Sequence, residues 1–329
     1  MNELKSPEIS VVIVTPDNFT TIRNTIKYLR NQTVKDLMEV VIVAPSADHL
    51  NMNNLELKDF LRTKVVELGN IEPIACGNAA GIRQATAPVV VLAEDHSYPD
   101  PGWAESLIKA HRKPWAAVGP VVKNANPDSA ISWADLLIAF GPWLDPTPAG
   151  AVSYLLGHNC SYKRETLLEY GNKLESMLEA ESVLHMDLRS RGFQIYLEPS
   201  AKISHMNFSL LSPWIYVQFL AGRVFAAARS RNWPFLKRIL YTIGAPLIPV
   251  IRFCRTLLEM YKPGRLQNMR FSMKLRILLA LILGLILDGM GQFVGYAIGA
   301  GDSKEKLSKY EFHRYRHVRP NYKQSDTDQ

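Results

Sequence analysis

An apolar run, Val89-Val90-Val91-Leu92-Ala93, ends in Glu94-Asp95-His96. Two carboxylates and an imidazole within three residues are competent ligands for a divalent cation. A cation held there neutralises the phosphates of a nucleotide. The run is β-branched and reads as a buried strand. Pro99, Pro101 and Gly102 then break the chain, and a new element starts near Trp103. Polar groups at the carboxyl end of a buried strand sit where open α/β sheets bind ligands. Taken alone, the stretch is equally a strand running into a polar turn.

The elements that position this triplet follow from periodicity. Ile9–Thr15, Glu39–Ala44, Lys64–Leu68 and Val89–Leu92 read as strands, the first two without polar alternation and so buried on both faces. Ile22, Ile26 and Leu29 recur at helical spacing within residues 20–31, and Gly77–Ala85 also reads as a helix. Strands and helices alternate through short links, which predicts a doubly wound α/β layer. Beyond Trp103 the pattern gives a helix to His111 and a strand over Ala116–Val121. Residues 123–150 are rich in Pro, Gly, Asn and Asp and read as an excursion over a site or a loop. Strand character resumes at Val152–Leu156. Helices are expected over Tyr162–Tyr170 and Glu179–Arg191, and a last strand over Phe193–Leu197.

From Leu210 the composition changes. Ser212-Pro213-Trp214 opens an apolar helix to about Ala228. Residues 239–251 are apolar but interrupted by Gly244, Pro246 and Pro249, which suits an interfacial or re-entrant segment. Ile277–Ala300 carries a single charge, Asp288, over a length that can span a bilayer. An Asp in mid-span costs roughly 2.5–3.5 kcal/mol, so a shallow hairpin or a helix packed in protein is the alternative to a span. Of the net charge of +7, the excess concentrates between Arg229 and Arg276, with eleven Lys/Arg and one acid, Glu259. Basic residues beside apolar ones favour an anionic membrane surface over nucleic acid. The tail from Gly301 is polar and expected to be exposed, with a frayed end after Arg319. Cys76, Cys160 and Cys254 show neither paired nor metal-ligand spacing, as expected of free thiols in a reducing compartment. Met1–Glu8 is polar and runs into a strand, so no secretory signal is expected.

From Ile9 to His205 the chain resembles the family 2 glycosyltransferases. Seven motifs come in the family's order: ISVVIVTP at the first strand; Gly77-Asn78-Ala79-Ala80-Gly81-Ile82-Arg83; Glu94-Asp95-His96 at the place of the metal-binding Asp-x-Asp; Pro99-Asp100-Pro101-Gly102-Trp103; Gly157-His158-Asn159 leading to Lys163-Arg164-Glu165; Glu181 ahead of Leu188–Phe193; and Pro199 with His205. The resemblance implies a GT-A fold, a Rossmann-like and mostly parallel nucleotide-binding sheet with flanking helices, followed here by an apolar, basic helical membrane-association region. It implies a catalytic domain over 1–209, the membrane region over 210–300 and a polar tail over 301–329. It assigns Thr15, Pro16, Asn78, Arg83, Glu94, Asp95 and Asn159 to the nucleotide sugar. A divalent cation, Mn²⁺ or Mg²⁺, falls to Glu94, Asp95, His96 and His205, and the general base to Glu181.

The chain departs from the family in three places. Glu94-Asp95-His96 replaces Asp-x-Asp, and its histidine leans toward Mn²⁺. The acidic pair after the second strand is replaced by Val43-Ala44-Pro45-Ser46, with Asp48 the first acid. Ala180-Glu181 replaces Glu-Asp. The expected activity is inverting transfer of a sugar from a nucleoside-diphosphate sugar to a hydroxyl of a glycan or lipid-linked acceptor. The expected location is the cytoplasmic face of the inner membrane, where membrane lipids are the further partner. The alternative is a weak or inactive nucleotide-sugar-binding scaffold at the membrane. A nucleotidyltransferase is disfavoured because Thr15-Pro16-Asp17-Asn18 stands where a Gly-rich, basic phosphate loop belongs.

Overall fold

The computed structural model describes residues 5–52, 54–71 and 73–322. The last residues of the expected frayed end, 323–329, lie outside them. Nine strands form one sheet: β1 (Ile9–Val14), β2 (Met38–Ala44), β3 (Arg62–Glu67), β4 (Val89–Ala93), β5 (Ser97–Pro99), β6 (Ala117–Asn124), β7 (Gly150–Val152), β8 (Ser161–Lys163) and β9 (Ile195–His205). Their order is β3-β2-β1-β4-β8-β6-β9-β5, with β7 paired to β9. β3, β2, β1 and β4 are mutually parallel, and β8 reverses direction against β4. Every residue of β1 and β2 is buried. A parallel strand covered on both faces has no solvent side, which is why ISVVIV and EVVIVA lack alternation.

Helices α1 (Phe19–Arg30), α2 (Ala47–Leu50), α3 (Ile74–Gln84) and α4 (Trp103–His111) link these strands. The chain continues through α5 (Ala130–Phe140), α6 (Arg164–Leu168), α7 (Leu174–Leu178) and α8 (Glu181–Ser190). It ends with α9 (Leu211–Ser230), α10 (Phe235–Gly244), α11 (Ile248–Met260), α12 (Phe271–Ile298) and α13 (Ser303–Phe312). α3 lies hard against the sheet because Gly77 and Gly81, one turn apart, face β1. A Cβ on Gly77 would sit 2.6 Å from Val14 Cγ1, and one on Gly81 would overlap Val12 Cγ1.

Two compact units result. The first holds residues up to 123 and 147–204, and the second holds 124–146 and 205–322. The division falls on the last residues of β6 and β9, so Asn124 and His205 still close strands of the sheet. In the second unit, α12 packs along α9 and α5. Buried Asp135 of α5 accepts from Trp214 Nε1 (3.1 Å), Gln218 Nε2 (3.0 Å) and the Phe208 amide (3.1 Å). Arg314 lies 3.4 Å away. Burial raises the Asp135 carboxyl above the usual range, and Arg314 opposes that rise.

Several elements differ from the sequence expectation. Residues 123–150 contain α5, an apolar eleven-residue helix that is not a loop. The strand expected at Val152–Leu156 is instead Gly150–Val152, and Leu155 and Leu156 are buried outside any strand. The helix expected from Tyr162 begins at Arg164, because Ser161–Lys163 pairs with β4. β9 runs on to His205. The polar tail is not wholly exposed: Phe312, Arg314 and Val318 are buried.

Gly81→Ala is expected to lower the denaturant midpoint. Overpacking against Val12 costs about 1–3 kcal/mol, and the helix-propensity gain of about 1 kcal/mol only partly offsets it. Gly102→Ala, where a Cβ meets nothing within 4 Å, serves as the neutral comparison. An unchanged midpoint for Gly81→Ala would refute the tight α3–β1 contact.

Candidate functional site

β4 carries Glu94-Asp95-His96 out of the sheet, and a turn at Asp95–His96 leads at once into β5, so the triplet is a tight corner. Buried Thr25 of α1 ties that corner down, its hydroxyl donating to the Asp95 carbonyl at 2.8 Å. A second segment crosses the same strand end. The Asn159 amide donates to the Leu92 carbonyl at 2.7 Å, and the Leu92 amide donates to the Cys160 carbonyl at 3.2 Å. Asn159 adopts φ 61°, a left-handed backbone that asparagine tolerates better than most residues.

That placement brings the Asn159 side chain onto Glu94. Nδ2 of Asn159 donates to Glu94 Oε2 at 2.8 Å, and the Ser97 hydroxyl donates to the same oxygen at 2.9 Å. The other oxygen, Oε1, lies 3.5 Å from His96 Nε2 and 3.8 Å from His158 Nδ1. His158 Nδ1 is also 3.4 Å from Glu181 Oε1. One imidazole therefore stands between two carboxylates that are 87 positions apart in sequence. Glu181 opens α8, with its carboxylate at the positive end of the helix dipole. Gly157 makes room for it: a Cβ there would come within 2.6 Å of Glu181 Oε2.

His205 closes β9. One ligand atom each from Glu94, His96 and His205 lies within 4.8 Å of the others, and all three residues are buried. His96 Nδ1 contacts Asp95 Oδ1 at 2.5 Å, and His205 Nδ1 contacts Asn207 Oδ1 at 2.8 Å. Such contacts to the far nitrogen fix ring orientation at metal sites. The donor set of one carboxylate and two imidazoles fits a borderline divalent cation such as Mn²⁺ better than Mg²⁺, which prefers oxygen throughout. Asp95 lies outside this set and holds His96.

The remaining expected contacts are placed as follows. Thr15 is buried at the end of β1, its Oγ1 accepting from the Asp17 amide at 3.2 Å. The Pro16 carbonyl meets His49 Nε2 at 3.1 Å. Asn78 is buried on α3. Arg83 bridges from α3 to Glu175 (2.6 Å) and to the Gly171 carbonyl (3.2 Å). Gly157 and His158 are the residues that sequence reasoning quoted but did not assign. A histidine beside Asn159, ahead of a strand paired to β4, was the available signal. Cys160 underlies the site as a thiol, its titration pushed up by burial and then by Glu181. His185, buried against the Tyr162 hydroxyl at 3.0 Å, is driven down to about 4 by burial and stays neutral.

Residues 10–171 match the model of Glycosyl transferase family 2. Among solved structures, GalNAc-T7 with UDP, GalNAc and Mn²⁺ aligns at TM-score 0.48 and 16% identity over 60% of this chain; this chain spans 43% of that one. S. aureus TarS 1–349 aligns at 0.47 and 14% identity, covering 92% of this chain and 90% of that one. TarS 1–349 in complex with UDP aligns at 0.45 and 17% identity, covering 87% and 90%. The search of curated proteins returned no match.

Gly157→Ala is expected to push the Glu181 carboxylate out of place. A displacement near 1 Å costs on the order of 10²-fold in turnover, with donor affinity held. Gly150→Ala, where a Cβ meets nothing within 4 Å, leaves turnover unchanged. Steady-state kinetics with calorimetric donor binding checks both; full turnover in Gly157→Ala contradicts the assignment.

Proposed function

We propose, from the match of residues 10–171 to Glycosyl transferase family 2, that this glycosyltransferase moves a sugar from a nucleoside-diphosphate donor to an acceptor hydroxyl with inversion, using Glu181 as general base. The observation that carries this reading is His158 standing between Glu181 and Glu94, with Glu94 inside a cation donor set. Glu94, His96 and His205 would hold a divalent cation, which supplies positive charge against the departing diphosphate. Asp95 acts through the His96 ring. Asn159 and Ser97 saturate Glu94 Oε2 and leave Oε1 toward the imidazoles.

The chemistry needs one proton removed and one bond exchanged. Glu181 takes the acceptor hydroxyl proton as that oxygen bonds the anomeric carbon. The carbon–oxygen bond to the diphosphate breaks on the opposite face, which gives inversion. Thr15, Pro16 and Asn78, at the end of β1 and on the adjacent α3, fit the nucleotide side. Arg83 reaches the donor only by leaving Glu175. The second unit, apolar and basic, fits attachment to the cytoplasmic face of the inner membrane, where a soluble donor meets a glycan or lipid-linked acceptor.

Two variants test the division of labour. Glu181→Gln is expected to bind donor as the parent does and to lose transfer by about 10²–10⁴-fold; parental turnover would remove Glu181 as base. Asp95→Asn is expected to weaken Mn²⁺ affinity by about 10–100-fold, the range for a residue that orients a ligand. Titration of turnover against Mn²⁺ reads it, and an unshifted midpoint would sink the role.

A further inference from the structure

Two segments of the second unit, Phe235–Met260 and Phe271–Ile298, are long and apolar enough to cross a membrane. Their packing points elsewhere. α12 is divided lengthwise. Its inner side carries Ile277, Leu281, Leu285 and Asp288, all buried. Gly291 and Gly295 on that side let the backbones touch, since a Cβ at either would overlap a carbonyl of α9. Asp288 is paired with Arg252 and accepts from Gln292 Nε2 at 2.7 Å. The outer side, Leu275, Leu279, Ile282, Ile286, Met290 and Phe293, is exposed.

α10 has no buried residue, and its exposed residues include Leu236, Leu240 and Ile243 at helical spacing. α11 exposes Val250, Ile251 and Leu258. Both helices pack on α12. Exposed cations Lys237, Arg255, Arg270 and Arg276 lie on or beside the same helices. Between Arg229 and Arg276 the single acid, Glu259, is held by Lys262 and Arg265. At one corner Trp233, Tyr241 and Tyr296 cluster, with Arg229 5.2 Å from the first two ring centroids and Lys237 Nζ 4.3 Å from that of Trp233. Aromatic rings mixed with Arg and Lys are the composition of a bilayer interface.

The feature that separates lying in a leaflet from crossing it is α13. Leu307 and Tyr310 seat this helix against Ala134 and Trp214, in the same cluster as Ala280 of α12. Glu305, Lys306 and Lys309 point to solvent there. If α12 crossed the bilayer, these charges would enter hydrocarbon at the level of Ala280.

We propose that the outer faces of α10, α11 and α12 dock in the plane of one leaflet of an anionic bilayer, with α12 parallel to the surface and no segment crossing. This rests on the membrane attachment proposed above. The apolar faces enter the headgroup–acyl boundary, and the cations meet anionic phosphates. α13, α9 and α5 remain on the aqueous side of α12.

The test uses the full chain, phosphatidylcholine vesicles with and without phosphatidylglycerol, and single-cysteine fluorophores read by depth-dependent quenching. Cys254 is exposed and serves as one reporter in a Cys76→Ser background, since Cys160 is buried. Leu279→Cys and Met290→Cys, each in a chain also carrying Cys76→Ser and Cys254→Ser, serve as the others. Expected are flotation at least about tenfold stronger with phosphatidylglycerol and one common shallow depth for all three reporters. Leu279 and Met290 lie about 16 Å apart along the helix axis; depths differing by that distance would overturn in-plane docking while leaving attachment intact. No flotation by a folded, donor-binding chain would overturn attachment itself. A vesicle-indifferent dimer that shields the reporters would assign the face to a second copy. Leu236→Asp with Leu240→Asp is expected to abolish flotation with donor binding retained; undiminished flotation would remove α10 from the docking face.

Discussion

A carboxylate that leaves water must find hydrogen bonds and positive charge or take up a proton. Glu94, 8% exposed just past a strand whose first four residues are buried, sets that condition for the whole site. Its requirements explain features that otherwise look unrelated. The turn into β5 follows at once, so that Ser97 reaches Oε2. The segment after Gly157 crosses the strand end so that Asn159 can donate, and its left-handed φ is the local consequence. His96 and His158 bring nitrogen lone pairs to within 3.5 and 3.8 Å of the acid, and His205 joins the same group of ligand atoms. A site built this way is rigid before any ligand arrives, because each polar contact is also a structural one.

Glu94 and Glu181 are the same residue type in different settings, and the settings separate their roles. Glu94 has one oxygen saturated by neutral donors and the other turned to imidazoles. Glu181 sits at a helix start, with a glycine cleared from its path and His158 as its partner in the site. The first is fixed in place by its hydrogen bonds from Ser97 and Asn159. The second stands at the start of α8 beside His158, where the proposed base belongs. His158 Nδ1 lies 3.8 Å from the first and 3.4 Å from the second.

Much of this was legible in the chain. Helix 20–31 is observed as Phe19–Arg30, and the strands at Ile9, Glu39, Lys64 and Val89 occur where apolar runs placed them. Long buried runs and strong helical spacing are signals that packing reinforces. What escaped was short or contextual. β5 and β8 are three residues each, too brief for a period to register. α5 is apolar nearly all round and flanked by Pro, Gly and Asn, so breakers hid a helix that owes its stability to burial. Asp95 and His96 lie in the turn between β4 and β5, where strand alternation does not say which side chains converge. Ligand atoms of Glu94 and His96 fall in one group with His205, and Asp95 Oδ1 meets the His96 ring at Nδ1.

The same limit governs the apolar C-terminal third. Hydropathy sums every residue of a helix, whereas packing divides the helix by face. α12 reads as a span because its two faces add together. Seen apart, the inner face is a protein contact, with glycines at the crossing of two backbones and an acid answered by Arg252. Only the outer face meets whatever surrounds the unit. An amphipathic helix whose polar face has been replaced by a neighbouring helix has no polar stripe left in its sequence. Its orientation to a bilayer is then set by the neighbours' charges. Asp135, beneath α9, shows how firmly those neighbours are fixed: it joins α5, α9 and the Arg314 segment through one buried carboxylate. Tilting α12 upright would carry α9 and the charged α13 with it, so the contacts that bury Asp288 and Asp135 are also what keep the outer apolar face as a surface.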